Sequence, residues 1–286
     1  MTDAAASALR RLVGVEPVDD DRAIGSTNDG GRGALGIFGG QMIAQCVSAG
    51  VHTVPPDAVP DSVHANLLSG GTSGEPIEFR IERVRDGRTL RHRDVRGYQG
   101  GTIVVHATVA WTLPSEGIDW QRPTMPEVAP PEPAADAPSA WGGHLGAGVF
   151  EIAHPAGAEG DPPPIHPIWV RAIEPVPDVA WLHAASVAYW SDFGMNRTTR
   201  EMHHQLDPRP VFSLSAHHSL WFHRPTRADA WHLFDPHPQS LAGNQGFVQA
   251  GIFDTAGRLV ASAVQGVYVR TDGTRLQPRG PLPPLP

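Results

Sequence analysis

Residues 258–268 read RLVASAVQGVY, and residues 102–112 read TIVVHATVAWT. The two stretches align without a gap. Both have the two-residue alternation of a β-strand, whose successive side chains face opposite ways. Carried on to Arg270, one face of the later stretch holds Ala261, Ala263, Gln265, Val267 and Val269. Only the amide is polar, and a buried amide without partners costs about 1–3 kcal/mol. Gln265 aligns with Val109, so the glutamine occurs in one copy alone. Duplicated scaffolds often lose a site in one copy, and an asymmetric polar residue then points to function. A core glutamine satisfied by neighbouring backbone is the other reading. The strand by itself leaves both open.

The duplication extends outward from these strands. SALRRLVGV (7–15) fits a short helix, and GGQMIAQCVSAGVHTV (39–54) a helix with small and apolar residues on most sides. Strand patterns follow at 62–68, 76–87, 88–99 and 102–112. The turns Arg85-Asp86-Gly87 and Gln99-Gly100-Gly101 read as hairpin connections. After a proline- and glycine-rich stretch the order recurs. PIWVRAIEPV (167–176) is strand-like, and PDVAWLHAASVAYWSDFG (177–194) is a helix with Pro177 and Asp178 at its start. Strands are then expected at 212–225, 228–237, 246–255 and 257–270. Two copies of helix plus antiparallel sheet make an internal duplication of the α+β class. The boundaries read as 1–113 for the first copy, 114–166 for an irregular linker, 167–273 for the second copy and 274–286 for an extended tail.

The bulk composition excludes much. The chain has 286 residues and a formal charge of −8 spread along its length, so no phosphate-tracking nucleic-acid surface is expected. Lysine is absent. That removes Schiff-base chemistry, pyridoxal phosphate and the P-loop lysine. The single cysteine, Cys46, rules out a disulfide framework within the chain and fits a reducing compartment. No apolar run approaches the roughly 20 residues of a membrane span. The N-terminal residues lack a signal-peptide core. A soluble cytoplasmic protein with no membrane partner is the expectation.

Several motifs fail on context. Gly31-Arg32-Gly33-Ala34-Leu35-Gly36 matches a dinucleotide fingerprint, with Asp57 beyond it, but no strand precedes it and the later strands read as antiparallel. The pairs His203-His204 and His217-His218 invite a metal reading. Neighbours on a strand face opposite ways, so His217 and His218 do not readily share an ion, and no metal is expected. Cys46 sits in an apolar helix, where a lone thiol fills core. No GxSxG elbow is present, which speaks against an α/β-hydrolase. No cofactor is expected.

Asp192 and Ser215 remain. Asp192 closes a small apolar stripe made by Trp181, Ala185, Ala188 and Tyr189. An acid at a helix C-terminus is mildly unfavourable. Simple alternation puts Ser215 with Ser213, His217, Ser219 and Trp221, away from the apolar face, unless a bulge at the histidine pair changes the register.

Five stretches carry a resemblance: IFGGQMIAQ (37–45), the RDG turn (85–87), SDFG (191–194), HSLWFHRP (218–225) and LVASAVQGVYVR (259–270). Together, in this order, they resemble the type II acyl-CoA thioesterases, the TesB-like proteins. The resemblance implies a double hotdog, each copy wrapping a sheet round a central helix, and an acyl-CoA substrate. It also implies hydrolytic residues at Asp192, Ser215 and Gln265, with serine where the family has threonine. In the first copy the family has an aromatic-rich segment ending in Arg-Pro, where this chain has Asn66-Leu67-Leu68-Ser69-Gly70.

The implied reaction is hydrolysis of fatty acyl-CoA by direct attack of water. Asp192 would take or orient the water's proton, and Ser215 and Gln265 would hold the water. Backbone N–H groups near Gly39, Gly40 and Gln41, at a helix start, would serve the oxyanion. A non-hydrolytic acyl-CoA or acyl-carrier binding module on the same fold is the alternative. A hotdog hydratase is a third, but its paired Asp and His motif is not evident. Relatives of this kind often assemble into homo-oligomers.

Overall fold

A computed structural model of the chain describes residues 2–27, 36–131, 148–155, 167–207, 209 and 211–270, with backbone only for 2–7. The Gly31–Leu35 part of the glycine motif and the 274–286 tail lie outside the described residues.

The first copy opens with α1 (Thr2–Val13) and a small hairpin, β1 (Glu16–Asp19) and β2 (Arg22–Gly25). Then come α2 (Gly39–Gly50), a 3-10 turn over Val51–Thr53, and β3 (Val59–Leu67), β4 (Ile77–Asp86), β5 (Leu90–Gln99) and β6 (Thr102–Thr112). The second copy has β7 (Phe150–Ala153), β8 (Ile168–Ala172), α3 (Ala180–Trp190), α4 (Met195–Leu206), β9 (Phe212–Phe222), β10 (His232–Ala242), β11 (Gln245–Asp254) and β12 (Leu259–Arg270). The β1–β2 hairpin, β7 and α4 are not legible in the sequence. β7 falls inside the stretch read as linker, because only four residues of regular spacing sit among prolines and glycines.

The twelve strands of the described residues form one antiparallel sheet, in the order β1-β2-β4-β5-β6-β3-β9-β12-β11-β10-β8-β7. That order reads the same from both ends once the copies are equated, with β3 and β9 meeting at the centre. Each half curls round its own helix, α2 or α3. This is the double hotdog that the resemblance implies.

The reason for the wrap is the helices' composition. In α2 every residue from Gly40 to Gly50 is buried, and its small residues let strands approach closely. Inward-facing Val105, Ala107, Val109 and Trp111 of β6 cover it, each fully buried. A buried Val or Leu side chain contributes about 1.5–3 kcal/mol, so these rows hold the wrap. The start of α2 abuts the end of α3. Gly40 lies so close to the Tyr189 carbonyl that a Cβ there has no space. Phe38 packs edge-on against Tyr189 at 5.1 Å between ring centres, and Phe150 stacks on Tyr189 at 5.3 Å.

The stretch 113–131 has no helix or strand but is anchored. Gln121 donates to the Gly257 carbonyl at 2.9 Å and accepts from the Leu259 amide at 2.8 Å. Met125 and Val128 pack on Trp169, Leu233, Phe253 and Leu259. The stretch thereby lies across the second half of the sheet. No helix among the described residues is long and apolar enough to cross a membrane.

Candidate active site

The site lies where α3 ends against the start of α2. A turn, Ser191–Gly194, leaves α3, and Gly194 at φ +65° starts α4, a left-handed conformation that suits glycine. Asp192 stands in this turn and is 4% exposed. Its Oδ2 accepts the Gly40 N–H at 3.0 Å. No side chain caps α2 from its own N-cap residue, Phe38. Asp192 therefore supplies the cap from the other copy, at the end of the helix that favours negative charge. The disadvantage of an acid at the end of α3 is offset by the neighbouring helix start, a partner that sequence spacing does not reveal.

Ser215 reaches the same carboxylate. The strand register slips at Ala216, with Val267 opposite Ser215 and Gly266 opposite His217. The bulge turns Ser215 onto the inner face, against the side expected from simple alternation. Beyond the bulge His218 faces inward at 1% exposure, whereas His217 faces outward and bonds Asn66 at 2.9 Å. The two histidines thus point apart, as strand alternation requires. The Ser215 hydroxyl donates to Asp192 Oδ1 at 3.0 Å. Gln265 is fully buried, and its Nε2 donates to Ser215 Oγ at 2.9 Å. Its Oε1 lies 2.8 Å from His218 Nδ1, and His218 Nε2 lies 2.9 Å from Ser191 Oγ. Asp192, Ser215 and Gln265 are thus joined in one chain of hydrogen bonds, and the amide of the opening strand has all its partners in side chains.

Gly39, Gly40 and Gln41 divide. Gly39 lies beside Asp192, and a Cβ there would stand 2.8 Å from Oδ2 and 2.8 Å from Leu67 Cδ1. The Gly40 N–H is engaged by Asp192 and is therefore not free for an oxyanion. The Gln41 N–H bonds the Phe38 carbonyl at 3.0 Å, and its side chain donates to the Leu12 and Ser26 carbonyls at 3.2 and 3.1 Å. Gln41 thereby ties α1 and the end of β2 to α2, which the motif alone did not show.

Burial pushes the His218 ring below the ordinary histidine range, against the smaller upward pull of Asp192 and Gln265. Burial also drives the Cys46 thiol upward, consistent with core filling. Among the described residues no group of three His, Cys, Asp or Glu is placed to hold a metal ion.

The equivalent place in the first copy looks different. The register equates Val63 with His218 and Val109 with Gln265, since Val63 pairs Val109 as His218 pairs Gln265. Arg93 pairs Val109 and so stands where Val248 stands in the second copy. Arg93 is 1% exposed and fully engaged. It donates to Thr53 Oγ1 and O, both at 2.7 Å, and to Asp86 at 2.6 Å.

Fold and site together define a double-hotdog protein with a polar, carboxylate-centred candidate site where the end of α3 meets the start of α2. A family model described as acyl-CoA thioesterase matches residues 159–268, and one described as acyl-CoA thioesterase N-terminal domain matches residues 28–112. Acyl-CoA thioesterase 2 of Haemophilus influenzae is 28% identical over 92% of this chain and 96% of its own length. Human acyl-coenzyme A thioesterase 8 is 24% identical over 91% of the chain and 88% of its own. The solved structure of acyl-CoA thioesterase II TesB2 from Mycobacterium marinum superposes with a TM-score of 0.76 at 27% identity, covering 94% of this chain and 99% of that one. The tesB protein of Mycobacterium avium subspecies paratuberculosis gives 0.77 at 26% identity, over 93% and 99%. The chain belongs to the type II acyl-CoA thioesterase family.

Proposed function

We propose that this chain hydrolyses fatty acyl-CoA to free fatty acid and CoA by direct attack of water, with Asp192, Ser215 and Gln265 as its catalytic group. The observation that carries the site is the unbroken hydrogen-bond chain from Gln265 through Ser215 to Asp192. Asp192 accepts a proton from the water as its oxygen adds to the thioester carbonyl. Ser215 and the second N–H of Gln265 hold the water, which lowers the entropic part of the barrier. The tetrahedral intermediate collapses with cleavage of the C–S bond, and the proton on Asp192 passes to the leaving thiolate. Because the Gly40 N–H serves Asp192, the oxyanion falls to the preceding amide of Gly39 and the α2 dipole. Glycine at 39 leaves the room that both the carboxylate and the thioester need. Leu67, beside Gly39, would line the start of the acyl path.

Nothing observed favours the non-hydrolytic binding module. A cytoplasmic place in lipid metabolism fits a chain whose one cysteine is free and buried. Assembly into a homo-oligomer fits the outer face of the sheet, where Phe247 and Tyr268 are 43% and 36% exposed on neighbouring strands. The experiment is CoA-thiol release from acyl-CoA substrates of graded chain length, with Asp192→Asn and Gln265→Ala in parallel. Release by the wild type and its loss in both variants is expected. A wild type inert on every chain length overturns the activity, and fully active variants overturn the site.

A further inference from the structure

We propose that His218 is a positioning residue that fixes the orientation of the Gln265 amide and, through it, the direction of the hydrogen bonds that run by way of Ser215 to Asp192. This rests on the site reading above. The direction follows from proton counting. An ionised Asp192 only accepts, and its Oδ1 takes the one proton of Ser215. Ser215 Oγ must then accept, so Gln265 presents its NH2 to Ser215 and its carbonyl to His218. A carbonyl at 2.8 Å from Nδ1 requires that nitrogen to carry a hydrogen. Burial disfavours a second ring proton, so Nε2 is bare, and the Ser191 hydroxyl stands 2.9 Å from it and 3.0 Å from the Ala188 carbonyl, with one proton for the two acceptors. The relay therefore runs one way, from His218 through Gln265 and Ser215 to Asp192.

Without a donor at position 218 the amide loses its reason to keep this orientation. Reversed, it would offer its carbonyl to Ser215 and draw the serine proton away from the carboxylate. The second N–H of Gln265 would leave the water at the same time. The first copy holds Val63 and Val109 at the matching places and has no such relay.

The test uses the full chain with a chosen acyl-CoA substrate, measuring kcat and KM. His218→Leu removes the donor. His218→Asn keeps an N–H near the place of Nδ1. Gln265→Leu and the His218→Leu/Gln265→Leu pair complete a double-mutant cycle. His218→Leu should lower kcat by about 10- to 100-fold with little change in KM, as misplacement of a reacting group does. His218→Asn should recover most of that loss. The pair should be no slower than Gln265→Leu alone, because His218 acts through the amide. Losses that multiply in the pair, or Asn no better than Leu in folded proteins of equal Tm, would overturn the proposal. Full activity in His218→Leu beside a crippled Gln265→Leu overturns it while leaving the site reading intact. Full activity in Gln265→Leu overturns the site reading itself. If His218→Leu does not fold, nitrogen-15 NMR of the wild-type ring decides. A hydrogen on Nδ1 with bare Nε2 supports the relay, and the opposite tautomer refutes it.

Discussion

The two halves of the sheet share one backbone plan and differ at the places proposed for the chemistry. Where the second copy pairs His218 with Gln265, the first pairs Val63 with Val109. Where the second has Val248 beside the amide, the first has Arg93 beside the valine, saturated by Thr53, Asp86 and nearby carbonyls. Both halves even keep the bulge, between Pro60 and Ser62 in β3 and between Ser215 and His217 in β9. The bulge that turns Ser215 inward is thus a property of the scaffold, and serine in place of proline gives it a use. The lesson is that a duplicated fold supplies positions, while a few polar substitutions give one copy a linked set of side chains that the other lacks. A buried polar pair is tolerable only when every partner is present. In the second copy the partners form a chain ending on a carboxylate. In the first they are replaced by apolar contact and by one arginine that holds a helix end.

The comparison can be broken most strongly at Asp192. Asp192→Asn should lower kcat by about three orders of magnitude, since it removes the proton acceptor while keeping the shape. Thiol release under saturating substrate measures this. Turning the second copy into the first at one position, Gln265→Val, should lower kcat by about a hundred-fold, with folding retained because the first copy packs valine there. Circular dichroism beside the activity assay separates the two effects. Gly39→Ala should cost about ten-fold in kcat, because the new methyl would press on Asp192 Oδ2 and shift the carboxylate. The fold should survive, and a crystal structure of the variant should show the shift.

Arg93→Met sharpens the contrast from the other side. It should cost about 2–3 kcal/mol in urea unfolding, by leaving the Thr53 groups without donors, and should leave kcat unchanged. Lost activity at unchanged stability would contradict the assignment of Arg93 to structure.

The smallest effect is one of pH. Burial holds the His232 ring down to about 4, and His183 and His218 are lowered for the same reason. A histidine depressed in the folded state takes up its proton first in the unfolded chain. Stability is therefore fully present above pH about 6.5 and falls as pH drops from there toward 4. The melting temperature should decline over that window, and His232→Gln should flatten the decline. A melting temperature constant from pH 7 to pH 4.5 would refute this.

Much of the molecule was legible in order of residues. Alternation in 102–112 and 258–268 gave the strands, their alignment gave the duplication, and the mismatch of Val109 with Gln265 marked the second copy. Small residues in 39–54 announced a helix buried on most sides, which the structure ends at Gly50. Period and composition carry such information because side-chain direction along a strand or helix is set locally. They do not carry the slip at Ala216, which depends on how β9 meets β12 and which reverses the predicted face of Ser215. Nor do they carry the approach of the α2 start to Asp192, which gives Gly40 a different partner from the expected oxyanion. Nor do they carry the meeting of His218 with the Gln265 amide, which depends on the register of β9 against β12. Those are contacts between residues far apart in the chain. The sequence by itself determined the repeated sheet, the buried helices and the candidate residues, because local periodicity and residue type suffice for them. Only the tertiary structure decided that Asp192, Ser215 and Gln265 meet, because packing two helices end to start and bulging one strand brings an acid, a hydroxyl and an amide within hydrogen-bond reach.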